Sequence, residues 1–82
     1  MYSEELWLKA LWKAIEDAKN NAGVNWVALV GGSTSIAKKG IYNISMKKLV
    51  RMAELLETSP TALILDAEDY YEELLKEAKE EA

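Results

Sequence analysis

Apolar residues in this chain return at three- and four-residue steps, in short runs separated by glycine, asparagine, serine and proline, and nowhere do they alternate over the length of a strand. That period is the spacing of one helix face, so the sequence predicts an all-α fold: a compact bundle of five to six short helices. Ser3 is placed to cap the first helix, where Leu8, Leu11, Trp12, Ile15 and Ala18 share a face and Trp7 and Ala14 widen it. The run Asn20-Asn21-Ala22-Gly23 is a stop signal, because Gly23 suits the left-handed conformation that closes a helix end. Asn25 can then cap a short second helix from Trp26 to Val30, ended by Gly31-Gly32.

Further along, Ser33, Thr34 and Ser35 offer successive caps for a short helix through Ile36, Ala37, Lys38 and Lys39, followed by Gly40. Ile41-Tyr42-Asn43-Ile44 reads as a connection, after which Ser45 caps a helix with Leu49, Met52, Ala53 and Leu56 on one face. Ser59 and Pro60 restart the chain as cap and first helical residue. Asp66, with Asp69 three positions on, is read as opening a last helix whose apolar residues are Tyr70, Tyr71, Leu74 and Leu75. The expected organisation is therefore a helical bundle over residues 1–65 and an acidic C-terminal helix over 66–82, acting as a packing lid or a dimerisation element.

Charge is distributed as unevenly as hydrophobicity. The net charge is −4, yet residues 18–53 contain no Asp or Glu, while Lys19, Lys38, Lys39, Lys47, Lys48 and Arg51 all fall there. Residues 54–82 reverse this, with ten carboxylates against Lys76 and Lys79. A phosphate backbone would be met by the middle of the chain and repelled by its end. The chain has no cysteine and no histidine, which excludes disulfides, thiolate or imidazole metal sites and every Ser-His or Cys-His catalytic arrangement. Glu72-Glu73 and Glu80-Glu81 lie on a face expected to be solvated, without the pocket that acid–base catalysis needs. Gly31-Gly32-Ser33-Thr34 lacks the lysine and preceding strand of a phosphate loop. The expectation is a non-enzyme with neither cofactor, metal nor small-molecule substrate. The acidic N-terminus and the lack of a membrane-length apolar run point to a cytoplasmic protein without membrane partners.

Residues 44–56 (ISMKKLVRMAELL), followed by Glu57-Thr58-Ser59-Pro60-Thr61-Ala62-Leu63-Ile64, resemble the fourth and fifth helices of the Cro/phage-repressor (XRE-like) helix-turn-helix family. There the family reads proline-serine-leucine, then leucine and alanine before a leucine and a glycine-valine-serine turn; Ile44 stands at the proline. Upstream, residues 19–25 with Leu29 are similar to the end of the family's first helix and the opening of its second. The resemblance covers about residues 8–65 and departs between Gly23 and Gly40, where the chain is several residues shorter than the family. One alignment makes residues 33–39 the recognition helix; a second makes them the positioning helix and lets the helix after Ser45 read the groove. The first agrees better with the core-like pattern of Leu49, Met52, Ala53 and Leu56.

The resemblance implies a repressor-like, sequence-specific transcription regulator that binds double-stranded DNA as a homodimer. Lys38, Lys39, Lys47 and Lys48 are then the phosphate candidates, and Ser33, Thr34 and Ser35 donors to phosphate or base. Tyr42 and Asn43 lie in a connection that would follow the backbone, with asparagine also suited to adenine. Each has an ordinary reading as cap, solubilising charge or gap-filler; their concentration in the acid-free segment gives the functional one its weight. Tyr70, Tyr71, Leu74 and Leu75 are the candidate two-fold interface. The competing reading is a helical protein-interaction module, such as an antirepressor, repressor modulator or antitoxin-like partner.

Overall fold

The computed structural model describes residues 2–31, 37, 39–40 and 42–81, and throughout these the regular structure is helical. Four helices are defined: α1 (Glu4–Ala22), α2 (Trp26–Val30), α3 (Met46–Leu55) and α4 (Pro60–Glu81). Ala37 and Lys39 also have helical backbone. No helix among the described residues is long and apolar enough to cross a membrane.

The helix ends follow from local chemistry. Ser3 Oγ accepts from the Leu6 amide at 3.3 Å, Asn25 Oδ1 from Ala28 at 2.9 Å, Ser45 Oγ from Lys48 at 3.2 Å and Ser59 Oγ from Ala62 at 3.0 Å. Each satisfies an amide that the first turn leaves without a partner. Helix α1 runs two residues past the expected stop at Asn20 and closes with Gly23 at φ 71°. The Gly23 amide bonds back to Asn20 O and that of Val24 to Lys19 O. The same paired bonds close α3, from Glu57 to Glu54 and from Thr58 to Ala53, with Glu57 in the glycine position at φ 56°.

Helix α4 is continuous from Pro60 to Glu81, which corrects the expectation of a fresh start at Asp66 and of a boundary between residues 65 and 66. Asp66 is exposed in mid-helix, and tertiary packing accounts for the continuity: Leu63, Ala67 and Tyr71 form an unbroken i, i+4 stripe, all buried. At 22 residues the helix is about 33 Å long at 1.5 Å per residue, which sets the longest dimension of the molecule at 38 Å.

The core has two parts. In the first, Trp12 and Ile15 of α1 meet Leu29, Ala37, Leu49, Met52, Ala53, Leu56 and Leu63, with Leu11, Val24, Trp26, Val30 and Ile44 packed around them. In the second, Ala10 and Ala14 of α1 face Ala67 and Tyr71 of α4, flanked by Leu6, Trp7, Tyr70, Leu74 and Leu75. Three alanines at this contact let the two long helices approach closely. Trp7 stacks on Tyr71 with ring centroids 4.7 Å apart and planes 14° from parallel, and the Ser3 amide donates to the Tyr71 hydroxyl at 3.0 Å. No buried side-chain polar atom among the described residues lacks a partner.

Within one chain, the face of α4 that carries Tyr70, Tyr71, Leu74 and Leu75 packs on α1; Tyr71 is only 4% exposed, while Tyr70, Leu74 and Leu75 remain partly exposed.

Two measurements follow by chemical denaturation. Tyr71→Phe keeps the stack and removes the bond to Ser3, lowering stability by about 1 kcal/mol, whereas Tyr71→Ala loses the stack too and costs about 3–4 kcal/mol. Glu57→Gly relieves a side chain held at positive φ and raises stability by roughly 1 kcal/mol; a loss would show that Glu57 makes a compensating contact.

Candidate nucleic-acid interface

Trp12 organises the basic end of the molecule. Its side chain is 94% covered, its indole meets Trp26 edge-on at 6.1 Å, and its Nε1–H donates to the Tyr42 carbonyl at 2.8 Å. That bond ties the connection before α3 to α1 and sets where Asn43 and the start of α3 lie. Gly40, at φ 63°, packs over Trp12, where an added Cβ would sit 3.4 Å from Trp12 Cβ, in van der Waals contact. Glycine is thus favoured at this position by its backbone conformation.

Three of the described candidate residues, Lys39, Asn43 and Lys48, line two depressions that border Trp12, and Tyr42 and Lys47 line neither. A groove of 430 Å³ between α2 and α3 is lined by Val27, Leu29, Val30, Ile44, Met52 and Leu55, with Asn43, Lys48 and Arg51 also on its wall. A shallower hollow of 230 Å³ lies against α1, where Lys39 joins Lys9, Lys13 and Glu16 around Trp12, Ala37 and Gly40. Lys39, Lys47, Lys48, Arg51 and Asn43 are all exposed, and Tyr42 is 42% exposed while its carbonyl is held by Trp12. The structure therefore brings Asn43 and Lys48 to one groove and sets Lys39 in the neighbouring hollow. Ser33, Thr34, Ser35 and Lys38 lie outside the described residues.

Three cations of this region escaped the reading of sequence as site residues. Arg51 was visible as part of the basic run but had no assigned role. Lys9 and Lys13 come from α1, outside the acid-free segment and on the same helix as Glu16 and Asp17; helical spacing at i, i+4 was the signal that placed them together. Lys13 also lies 4.8 Å from the centroid of the Tyr70 ring, so it bridges α1 and α4 as well as bordering the hollow.

Chemically, this end presents exposed ammonium and guanidinium groups, an amide side chain and the capped start of a ten-residue helix. Such groups bind anions and hydrogen-bond acceptors. The carboxylates of α4 stand elsewhere: Asp66, Glu68, Asp69, Glu72, Glu73, Glu77 and Glu80 are all exposed along the second half of the long hairpin. Among the described residues, no group of three His, Cys, Asp or Glu side chains is placed to hold a metal ion. No protein-family model, curated protein or solved structure matches the chain.

Replacing Gly40 by alanine tests how far the interface depends on the Trp12 contact. The variant is expected to lose about 1 kcal/mol or more in thermal or denaturant unfolding, because alanine must adopt a positive φ there.

Proposed function

We propose that this chain is a double-stranded-DNA-binding transcription regulator of the helix-turn-helix type, acting inside the cell by binding and not by catalysis. The observation that carries the proposal is the exposed cluster of Asn43, Lys47, Lys48 and Arg51 at and just before the start of α3, in a molecule whose net charge is negative. Segregation of this kind gives phosphates a favourable approach that the average charge conceals.

Local geometry supports the family reading. Glu57 takes the positive φ that a glycine would take after the fourth helix of the repressor family, and Ser59 and Pro60 open the next helix as that pattern requires. Leu49, Met52 and Ala53 are buried, so α3 directs its apolar face into the core and leaves its cations for the solvent side. This favours α3 as a backbone-gripping helix and leaves base reading to residues 33–39. A second reading, a helical protein-interaction module, draws support from the apolar lining of the α2–α3 groove.

A titration of fluorescent mixed-sequence duplexes at low and moderate salt tests the proposal. With about three phosphates neutralised per chain, affinity should fall roughly forty-fold between ~50 and ~200 mM salt. The Lys47→Ala/Lys48→Ala variant should bind more weakly on all duplexes and lose about two units of salt slope. A folded protein that binds no duplex at low salt would overturn the regulator and favour the interaction module.

A further inference from the structure

Exposed apolar surface remains at several places among the described residues, Met46 and Val50 of α3 included, and two of these surfaces match one another. The first is the α2–α3 groove, where Val27 is 60% and Leu55 47% exposed and Lys48 and Arg51 stand on the wall. Its 430 Å³ is within the range of cavities that take a ligand or a side-chain cluster. The second is on α4, where Ile64 is 41% and Leu65 60% exposed. One turn further, at i+4 from each, are the exposed carboxylates of Glu68 and Asp69.

These surfaces are complementary in both chemistry and charge. A helix face with two apolar side chains followed by two carboxylates suits a groove that is apolar inside and cationic along its edge. The charge pattern extends beyond the contact residues: none of the residues lining the groove is a carboxylate, and residues 60–75 of α4 contain no lysine or arginine. Opposed surfaces of this kind attract in one pairing and repel in the like-with-like alternatives. Within one chain α4 is committed to α1 through Ala67 and Tyr71, with Ile64 and Leu65 left exposed.

From this we infer that the chain self-associates, the Ile64/Leu65–Glu68/Asp69 face of α4 in one copy seating in the α2–α3 groove of a second. The contact joins two different surfaces, so a reciprocal pair closes it into a dimer and a single one continues into open chains. It goes beyond the proposed regulator and competes with it for Lys48 and Arg51, so duplex DNA should shift the chain towards the monomer, and it is read without DNA.

The experiment is sedimentation equilibrium on the full chain, from roughly 10 µM to 1 mM, a range suited to a small interface of modest affinity. The mass should rise above one chain with concentration and fall again as salt is added. Arg51→Glu and Glu68→Lys should each weaken association by about tenfold, and the Arg51→Glu/Glu68→Lys chain should recover it, because the charges are exchanged. Both changes are at exposed positions, and helical circular dichroism verifies folding of all three variants. A monomer throughout, association indifferent to both single variants, or a double variant no stronger than the singles overturns the inference. A monomer whose groove instead takes an acidic peptide does so as well, and assigns the groove to a foreign partner. A monomer that still binds duplex DNA overturns the inference alone; a self-associating chain that binds none overturns the regulator alone.

Discussion

The Trp12 side chain is the contact on which the basic end of this molecule depends. It belongs to α1, yet it holds the Tyr42 carbonyl, abuts Gly40, meets Trp26 of α2 and forms part of both depressions. A buried indole needs a partner for its N–H, and here that need determines the path of a connection with little regular structure of its own. The position of Asn43 and the start of α3 are therefore consequences of one hydrogen bond made from the opposite side of the core.

The other half of the molecule rests on a different kind of contact. Ala10, Ala14 and Ala67 allow α1 and α4 to lie close together, and the Trp7–Tyr71 stack with its bond to Ser3 closes the end of that hairpin. A domain this small gains limited stability from a single core, so a long helix pair with a second apolar cluster is a physical substitute for greater size. The same arrangement holds the carboxylates of α4 along an exposed face while the acid-free segment forms the bundle at the other end. The carboxylates of α4 thus lie on a different helix from Lys47, Lys48 and Arg51, while Glu16 borders the hollow that holds Lys39.

Much of this was legible before any coordinate. Ser3, Asn25, Ser45 and Ser59 cap where their chemistry predicts, Gly23 closes α1 with a positive φ, and Leu49, Met52, Ala53 and Leu56 share the buried side of α3. The break expected at Asp66 was the main error, and its cause is instructive. Aspartate followed by a second aspartate looks like a helix start, but an exposed aspartate is tolerated in mid-helix when Leu63, Ala67 and Tyr71 continue the buried stripe on the other side. The Tyr71 stripe makes a related point: an apolar stripe shows that a helix has a partner without showing which, and within the chain that partner is α1.

What the sequence determined by itself, then, is the local chemistry: all-helical structure, the caps, the turns and the separation of cations from carboxylates, because each depends on neighbours within about four residues or on composition alone. Only the tertiary structure decided that α4 runs unbroken along α1, that Lys9 and Lys13 join Lys39 around Trp12, and that Lys48 and Arg51 border an apolar groove. Those depend on contacts between residues tens of positions apart, and helical periodicity specifies a buried face without specifying what lies against it.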